Sequence, residues 1–209
     1  ISCNYMRTQY SSVQQMKRIV TEGLLGALKE VIITEGGVIK ATKKKKEHYQ
    51  NSLQLSGGGF LIEKGCHTLS ELCEMLDDFE IEVRGARVEK CDGFDVDVET
   101  KLIAKKGSLR VPVFYKASLV NEMKNVTEFI FEKGHVRFNH DSPSSCLVVT
   151  TSPQSEGFVI SSDKHWATTF YQAFYLKWKR FLDAVTNEND MNCVYETGTN
   201  ITRLIEDIY

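Results

Sequence analysis

The sequence predicts an α+β fold in which an antiparallel, tunnel-like β-barrel is flanked by helices. Between Phe79 and Ser161, six short segments alternate apolar and polar residues with period two, which is typical of half-buried strands. Segments of helical period precede and follow this region. Several antiparallel strands in succession favour a curled sheet or a barrel. The length of 209 residues and the 42% hydrophobic content favour a single barrel domain over residues 1–209.

Two helices and two short strands are predicted in the first third of the chain. The first helix is predicted over 12–29, where Ser12 and Gln15 have capping-box spacing. The second is predicted from the capping box Thr68-x-x-Glu71 and the apolar repeat that follows it. Residues 31–33 and 59–62 are predicted as β-like runs, and the glycines at 57–59 as a flexible turn.

The six alternating segments predict the strands of the barrel. In the first, Phe79, Ile81 and Val83 fall on one face, opposite Glu80, Glu82 and Arg84. In the second, Phe94, Val96 and Val98 alternate with Asp95, Asp97 and Glu99, which are predicted to face solvent. The others are predicted at 109–115, 128–133, 146–151 and 157–161.

A long aromatic helix is predicted next, capped by Ser162 or Asp163, and a final helix is predicted over 200–209. The large apolar side chains of the aromatic helix exceed what a small core needs. We therefore expect part of this set to form an obligate subunit interface. The candidate interface residues are Trp166, Phe170, Phe174 and Trp178.

Composition and charge exclude several classes of protein. The 26 basic residues almost balance the 28 acidic ones, so nucleic acid is not an expected partner. No apolar run approaches the roughly 20 residues that a membrane helix needs. The first ten residues lack the pattern of a secretory signal, and the six scattered cysteines are expected to be small buried hydrophobes in a reducing compartment.

The pattern Glu80-x-Glu82-x-Arg84 suggests one catalytic alternative. Inside a closed barrel, these side chains would line a charged lumen, as in triphosphate tunnel enzymes that hold a divalent metal with paired glutamates. The later strands supply no second acidic pair to complete an oxygen cage. A solvated strand face is therefore favoured, and a metal-dependent phosphohydrolase is kept as the alternative.

Other candidate groups are weaker. Cys66, His67 and Cys73 lack the paired spacing of a zinc site, and a core role is favoured for them. His135, His140 and His165 accompany no nucleophile motif. The tract Lys43–Lys46 is interpreted as a solvated loop, with nucleic-acid binding as a further alternative. No catalytic, cofactor-binding or metal-binding residue is predicted.

A specific run of residues resembles a known family. The run Ile81-Glu82-x-Arg84-Gly85-x-Arg87-x-x-x-Cys91-Asp92 is similar to the central strand and turn of subunit 20 of the Mediator head module. Three weaker matches, at 12–15, 59–62 and 194–195, occur along the chain in the same order as in that family.

The resemblance implies a non-catalytic structural subunit located in the nucleus. It implies a β-barrel that pairs with Mediator subunit 18, which in turn holds subunit 8. This unit would help to couple transcription regulators to RNA polymerase II and TATA-binding protein. No cofactor, no membrane and no direct sequence-specific contact with nucleic acid are expected.

Overall fold

A computed structural model describes residues 3–37, 49, 52–140, 142, 144–151, 157–161, 165–186 and 191–209. The five helices are α1 (Ser11–Glu22), α2 (Leu53–Ser56), α3 (Cys66–Met75), α4 (Phe170–Thr186) and α5 (Met191–Ile208). A 3₁₀ turn at Met6–Gln9 precedes α1, and a π-helical turn at Leu61–Gly65 leads into α3.

The eight strands among the described residues form one sheet. They are β1 (Leu28–Gly36), β2 (Glu80–Cys91), β3 (Phe94–Lys106), β4 (Leu109–Ser118), β5 (Val126–Phe131), β6 (Gly134–Asn139), β7 (Ser145–Thr150) and β8 (Phe158–Ser161). Their order across the sheet is β2-β3-β4-β1-β5-β6-β7-β8.

The sheet is open and mixed, so the predicted antiparallel barrel was wrong. Closure would require β2 to pair with β8, and these strands lie at opposite edges of the described sheet. Strand β1 lies in the middle, parallel to β4 and antiparallel to β5. Because β1 is separated in sequence from both neighbours, strand periodicity alone did not reveal its central position.

Helices α1, α3 and α5 pack against one another and supply one side of the hydrophobic core. Their inward side chains are fully or almost fully buried, as are those of the central strands that they cover. The buried set includes Val13, Met16, Leu69, Leu72, Ile201 and Leu204 from the helices, and Val31, Val98, Leu102, Val113 and Phe129 from the strands. This layer holds the α3 segment, by which we mean residues 60–75 (the π-helical turn together with α3), against the sheet.

The first helix is shorter than predicted. It ends at Gly23, which adopts the left-handed conformation with φ 62° and closes the helix, so that the chain is free to enter β1 at Leu28. The predicted capping box is absent: Tyr10 is the N-cap residue, and Gln15 donates a hydrogen bond to the hydroxyl of Ser11.

The segment around Thr68 also differs from its prediction. Helical structure begins at Phe60, so residues 59–62 are not a strand, and Thr68 lies inside the helix rather than at its start. The hydroxyl of Thr68 donates a 2.6 Å hydrogen bond to the buried carboxylate of Glu35 on β1. A polar side chain that resembles a cap from its spacing is therefore a tertiary contact.

A second error lies in β3. Asp95 and Asp97 were predicted on the solvated face, but both are buried. Tertiary contacts cover them: Asp95 accepts two backbone hydrogen bonds from the chain at Gly59 and Leu61, and Asp97 accepts one from the hydroxyl of Ser118. The alternation predicted for β2 is confirmed, with Ile81 and Val83 packed against the core.

The tract Lys43–Lys46 and the predicted caps Ser162 and Asp163 lie outside the described residues. In the part of the chain that the structure describes, no helix is both long and apolar enough to span a membrane. Cys3, Cys66, Cys73, Cys91 and Cys146 are free thiols, and Cys73 and Cys146 pack in or against the core. The prediction of a single domain over 1–209 stays a prediction.

Candidate active site

A pocket of about 400 Å³ lies where the start of the α3 segment meets β3 and the segment before α1. It combines aromatic side chains with polar and titratable ones, the composition expected of a small-molecule site. Its wall is formed by Asn4, Tyr5, Tyr49, Ser56, Gly58, Gly59, Ile62, Glu63, Cys66, His67, Phe94, Asp95 and Leu119.

The glycine turn forms one side of this pocket. Gly57 ends α2 in the left-handed conformation, with φ 77°, and the chain then passes directly over β3. A Cβ atom at Gly59 would lie 2.5 Å from the carbonyl oxygen of Asp95, a separation that does not occur between real atoms. Glycine is therefore required at 59 for close approach of two backbones, and the turn is not the flexible feature that the sequence predicted.

His67 lies one helical turn beyond Glu63, so both side chains reach the same pocket. The ring of Tyr5 meets the imidazole edge-on, with a centroid separation of 6.0 Å. The Nδ1 atom of His67 is buried and has no hydrogen-bond partner within the described ranges. Burial, together with the charge of Arg7, lowers the pKa of His67 to about 4. The imidazole is therefore neutral at pH 7.

The neighbouring thiols of Cys66 and Cys73 are not activated as nucleophiles. Burial raises the pKa of the Cys66 thiol to about 11 and that of Cys73 to about 12. Both therefore remain protonated thiols at neutral pH rather than thiolate nucleophiles or ligands. The predicted core role fits Cys73, whereas His67 lines the pocket rather than the core.

A buried charged cluster lies behind the pocket. Arg7 Nη1 is 3.7 Å from Glu35 Oε1 and 3.9 Å from Glu71 Oε1. Glu71 Oε2 lies 3.5 Å from Nδ1 of His140. Burial raises the pKa of Glu71 to about 8, although the positive charge of Arg7 opposes the shift. Buried ionisable groups with perturbed pKa values are concentrated at functional sites, so this cluster supports the assignment of the pocket.

The predicted motif residues lie elsewhere, on the edge hairpin β2–β3. Asp92 and Gly93 form its two-residue turn with φ values of 51° and 87°, as a primed turn requires. The hydroxyl of Thr100 bonds to the carbonyl of Gly85, and Cys91 ends the strand, paired with Phe94. The motif is thus a hairpin signature.

The charged members of the motif are paired on the strand surface. Glu82 pairs with Lys105 and, at 2.8 Å, with Arg84. Arg87 lies 3.3 Å from Glu89. Ile81, Glu82, Arg84 and Gly85 line a wider cleft of about 1060 Å³ between β2, the end of α3 and α5. No group of three or more potential metal ligands occurs in the described part of the chain, and the sheet has no lumen, so the phosphohydrolase alternative was wrong.

The four aromatic residues predicted as an interface differ in exposure. Phe170 is 48% exposed and Trp178 is 55% exposed, whereas Phe174 packs against the core. Trp166 is covered by the guanidinium of Arg180, whose carbon lies 5.5 Å from the ring centroid. The interface itself stays a prediction.

No family model and no curated protein matches the sequence. The fold, however, matches that of solved oxidoreductases. One is KijD10, a 3-ketoreductase from Actinomadura kijaniata in complex with TDP-benzene and NADP, with TM-score 0.74 and 17% identity over 100% of this chain and 60% of that one.

Two further solved structures show the same likeness. The aldose-aldose oxidoreductase from Caulobacter crescentus, complexed with glycerol, has TM-score 0.79 and 16% identity over 100% of this chain and 60% of that chain. An oxidoreductase from Sinorhizobium meliloti has TM-score 0.76 and 13% identity over 99% and 61%. The chain thus spans about three fifths of the length of the solved chains it matches.

These neighbours overturn the resemblance to Mediator subunit 20. The three solved proteins named above are oxidoreductases, and the open sheet of this chain differs from the barrel that the resemblance implied. The predictions of a non-catalytic transcription subunit and of partnership with Mediator subunits 18 and 8, RNA polymerase II and TATA-binding protein were therefore wrong. Nuclear localisation stays a prediction.

His67 and Glu63 were not predicted from the sequence as residues of one pocket. The signal was present: a triple glycine followed by a carboxylate and a histidine four residues apart. It was not recognised because residues 59–62 were predicted as a strand and the helix was predicted to begin at Thr68, so Glu63 and His67 were not placed on one helical face.

Proposed function

We propose that this chain is the substrate-binding part of an oxidoreductase that interconverts an alcohol and a carbonyl group on a sugar or a similar polyhydroxylated compound. The observation that supports this most directly is the convergence of His67 and Glu63 in one pocket beside the glycine turn. The likeness of the fold to a 3-ketoreductase and an aldose-aldose oxidoreductase supports the class of substrate.

The residues of this chain do not fit a dinucleotide cofactor. The sequence contains no G-x-G-x-x-G run, and the only parallel pair in the described sheet is β1 with β4. The matched neighbours are longer by about two fifths of their length, and one of them holds NADP. The substrate side of the reaction is therefore assigned to this chain, and the binding of the cofactor is not.

His67 is the proposed acid–base residue. Oxidation of an alcohol releases the hydroxyl proton, and reduction of a carbonyl consumes one, so a proton acceptor and donor must lie beside the reacting oxygen. A neutral imidazole that faces the pocket offers a nitrogen lone pair to that proton during oxidation, and the imidazolium so formed, with its lowered pKa, is a strong proton donor for the reverse reaction. Glu63, at the same wall, is proposed to accept hydrogen bonds from substrate hydroxyl groups.

Tyr5, Tyr49 and Phe94 complete the site by offering aromatic surface. Aromatic faces pack against the apolar C–H faces of a ring while polar groups bind its hydroxyls. A pocket of about 400 Å³ has room for a monosaccharide.

Binding of glycerol and of a hexose tests this proposal by saturation-transfer NMR. We expect His67→Asn and Glu63→Gln each to weaken binding about tenfold, because each removes a polar contact to the ligand. His135→Asn is the matched control, since His135 lies on β6 and does not line the pocket. Unchanged binding in both pocket variants, or equal loss in the control, would contradict the proposed site.

A further inference from the structure

Asp95 joins three parts of the molecule through one buried carboxylate. It lies on β3 and is 1% exposed. Its Oδ1 accepts a 2.7 Å hydrogen bond from the backbone N–H of Gly59, and its Oδ2 accepts one of 2.8 Å from Leu61. The hydroxyl of Tyr209, directly after α5, donates a third, of 2.5 Å, to Oδ1.

The two backbone hydrogen bonds make Asp95 the cap of the helix that presents Glu63 and His67. This helix has no side-chain cap of its own, so its first N–H groups require an acceptor from elsewhere. A carboxylate at a helix N-terminus is also stabilised by the helix dipole. The cap is therefore supplied by the sheet, across 34 to 36 residues of sequence.

Tyr209 closes this arrangement from the other side. A Cβ atom at Gly58 would lie 2.8 Å from the Tyr209 hydroxyl oxygen, so the tyrosine packs directly against the glycine turn. The ring also lies under Lys90 of β2, with Nζ 5.1 Å from its centroid. Burial and the bond to the carboxylate both raise the pKa of Tyr209, so its hydroxyl remains a donor throughout the neutral range.

We infer that Tyr209 is a positioning residue for the candidate active site: its hydroxyl, through Asp95, holds the glycine turn and the first helical turn where Glu63 and His67 meet the substrate. Gly58, Gly59 and Asp95 are themselves part of the pocket wall. Displacement of α5 would release the tyrosine hydroxyl and loosen that wall. The assignment of a substrate to this wall rests on the proposed function. The hydrogen-bonded arrangement of Tyr209, Asp95 and the backbone of Gly59 and Leu61, which we call the latch, does not.

Amide hydrogen exchange tests the latch in the full chain. We expect Tyr209→Phe to accelerate exchange at Gly59 and Leu61 about five- to tenfold, because Asp95 loses one of three donors and holds the others less firmly. Exchange at Phe129 in β5 should not change. The pKa of His67, followed by NMR of its imidazole, should rise from about 4 towards its ordinary value as the wall loosens.

Tyr171→Phe is the matched control, since its ring is 84% exposed on α4 and does not line the pocket. Asp95→Asn should produce a larger acceleration at the same two amides. If Asp95→Asn does not fold, Tyr209→Phe decides the question alone. Unchanged exchange at Gly59 and Leu61 in Tyr209→Phe would overturn the inference.

Glycerol binding to the unmodified chain separates the two proposals. Local acceleration of exchange in Tyr209→Phe supports the latch even if the unmodified chain binds no glycerol, a result that would count against the proposed function alone. Binding with no local acceleration would leave the proposed function standing and remove the latch.

Discussion

Glu71 is a buried carboxylate whose charge depends on the pH of the folded protein. It faces Arg7, Glu35 and His140, and its pKa is raised by burial to about 8 from an ordinary value of 4.5. The folded state therefore holds a proton that the unfolded chain has already released between these two values. Stability from this group is complete below pH 4.5 and is lost as the pH rises through 8.

Glu71→Gln should make the stability of the protein less dependent on pH. We expect the contribution of Glu71 to the free energy of unfolding to fall by a few kcal/mol between pH 5 and pH 8, so that the original chain loses more stability over this range than the variant, because glutamine does not titrate. Urea melts at both pH values measure the difference. Glu22→Gln, an exposed carboxylate on α1, is the control and should follow the original chain; an identical slope for Glu71→Gln would contradict the prediction.

His67 should have the opposite effect, on the acid side. Its pKa is lowered from 6.5 to about 4 by burial and by Arg7, so the unfolded chain binds a proton that the folded protein does not. Stability from this group is present above pH 6.5 and is lost as the pH falls through 4. NMR titration of the imidazole should show a midpoint far below 6.5. A midpoint near 6.5 would mean that the ring is open to water.

At this scale, the sequence revealed which residue types were present but not their surroundings. His67 and Glu71 lie four residues apart in a helix, yet one lines a pocket and the other is buried beside Arg7. Helical periodicity places both on one side of the helix, and only the approach of β1 and of the segment before α1 distinguishes them. Spacing therefore indicated the helix and not the chemistry.

The glycine turn before α3 is the element on which the geometry of the pocket depends most. Gly59→Ala would place a Cβ atom 2.5 Å from the backbone of β3. We expect it to destabilise the fold by about 1–3 kcal/mol and to weaken glycerol binding, because the turn must move off Asp95. Thermal unfolding and saturation-transfer NMR measure the two effects.

Gly85→Ala is the matched control for that substitution. Gly85 lies on the exposed edge strand β2, and no atom lies within 4 Å of the Cβ that alanine would add. The free energy of unfolding of the Gly85→Ala variant should be unchanged or slightly raised, since glycine inside a strand is less favourable than alanine. Equal destabilisation by both substitutions would show that the close contact at Gly59 is not what matters.

Elements with a clear period could be predicted, and their arrangement could not. The predicted segments overlap β1, β2, β3, β4, β5, β7 and β8, although β2 and β3 are much longer than predicted, whereas β6, at Gly134–Asn139, was missed. The central place of β1 depends on pairing with Val113 and Phe129, residues that are distant in sequence. Pairing over such distances is set by burial of the whole sheet, which no local pattern records.

The edges of the open sheet show how the whole molecule avoids further strand pairing. Edge strand β2 displays charged side chains such as Arg84, Arg87 and Glu89 along its exposed length. Charged side chains on an edge strand discourage pairing with other chains. Arg84 also belongs to the pattern Glu80-x-Glu82-x-Arg84 that suggested a tunnel lumen in the sequence, because alternation cannot distinguish the inside of a barrel from an exposed face.

At the scale of the whole molecule, the proposed division of an oxidoreductase reaction between this chain and a separate cofactor-binding part is testable. The chain alone should bind glycerol but should show no saturable binding of NADPH, because it lacks a glycine-rich phosphate loop opening a helix after a parallel strand. Titration followed by NADPH fluorescence measures this directly, with ATP as a competitor to expose nonspecific phosphate binding. Saturable micromolar binding that survives ATP would place the cofactor on this chain and contradict the division. Absence of NADPH binding, together with glycerol binding that is weakened about tenfold in His67→Asn, would confine the role of the chain to its substrate.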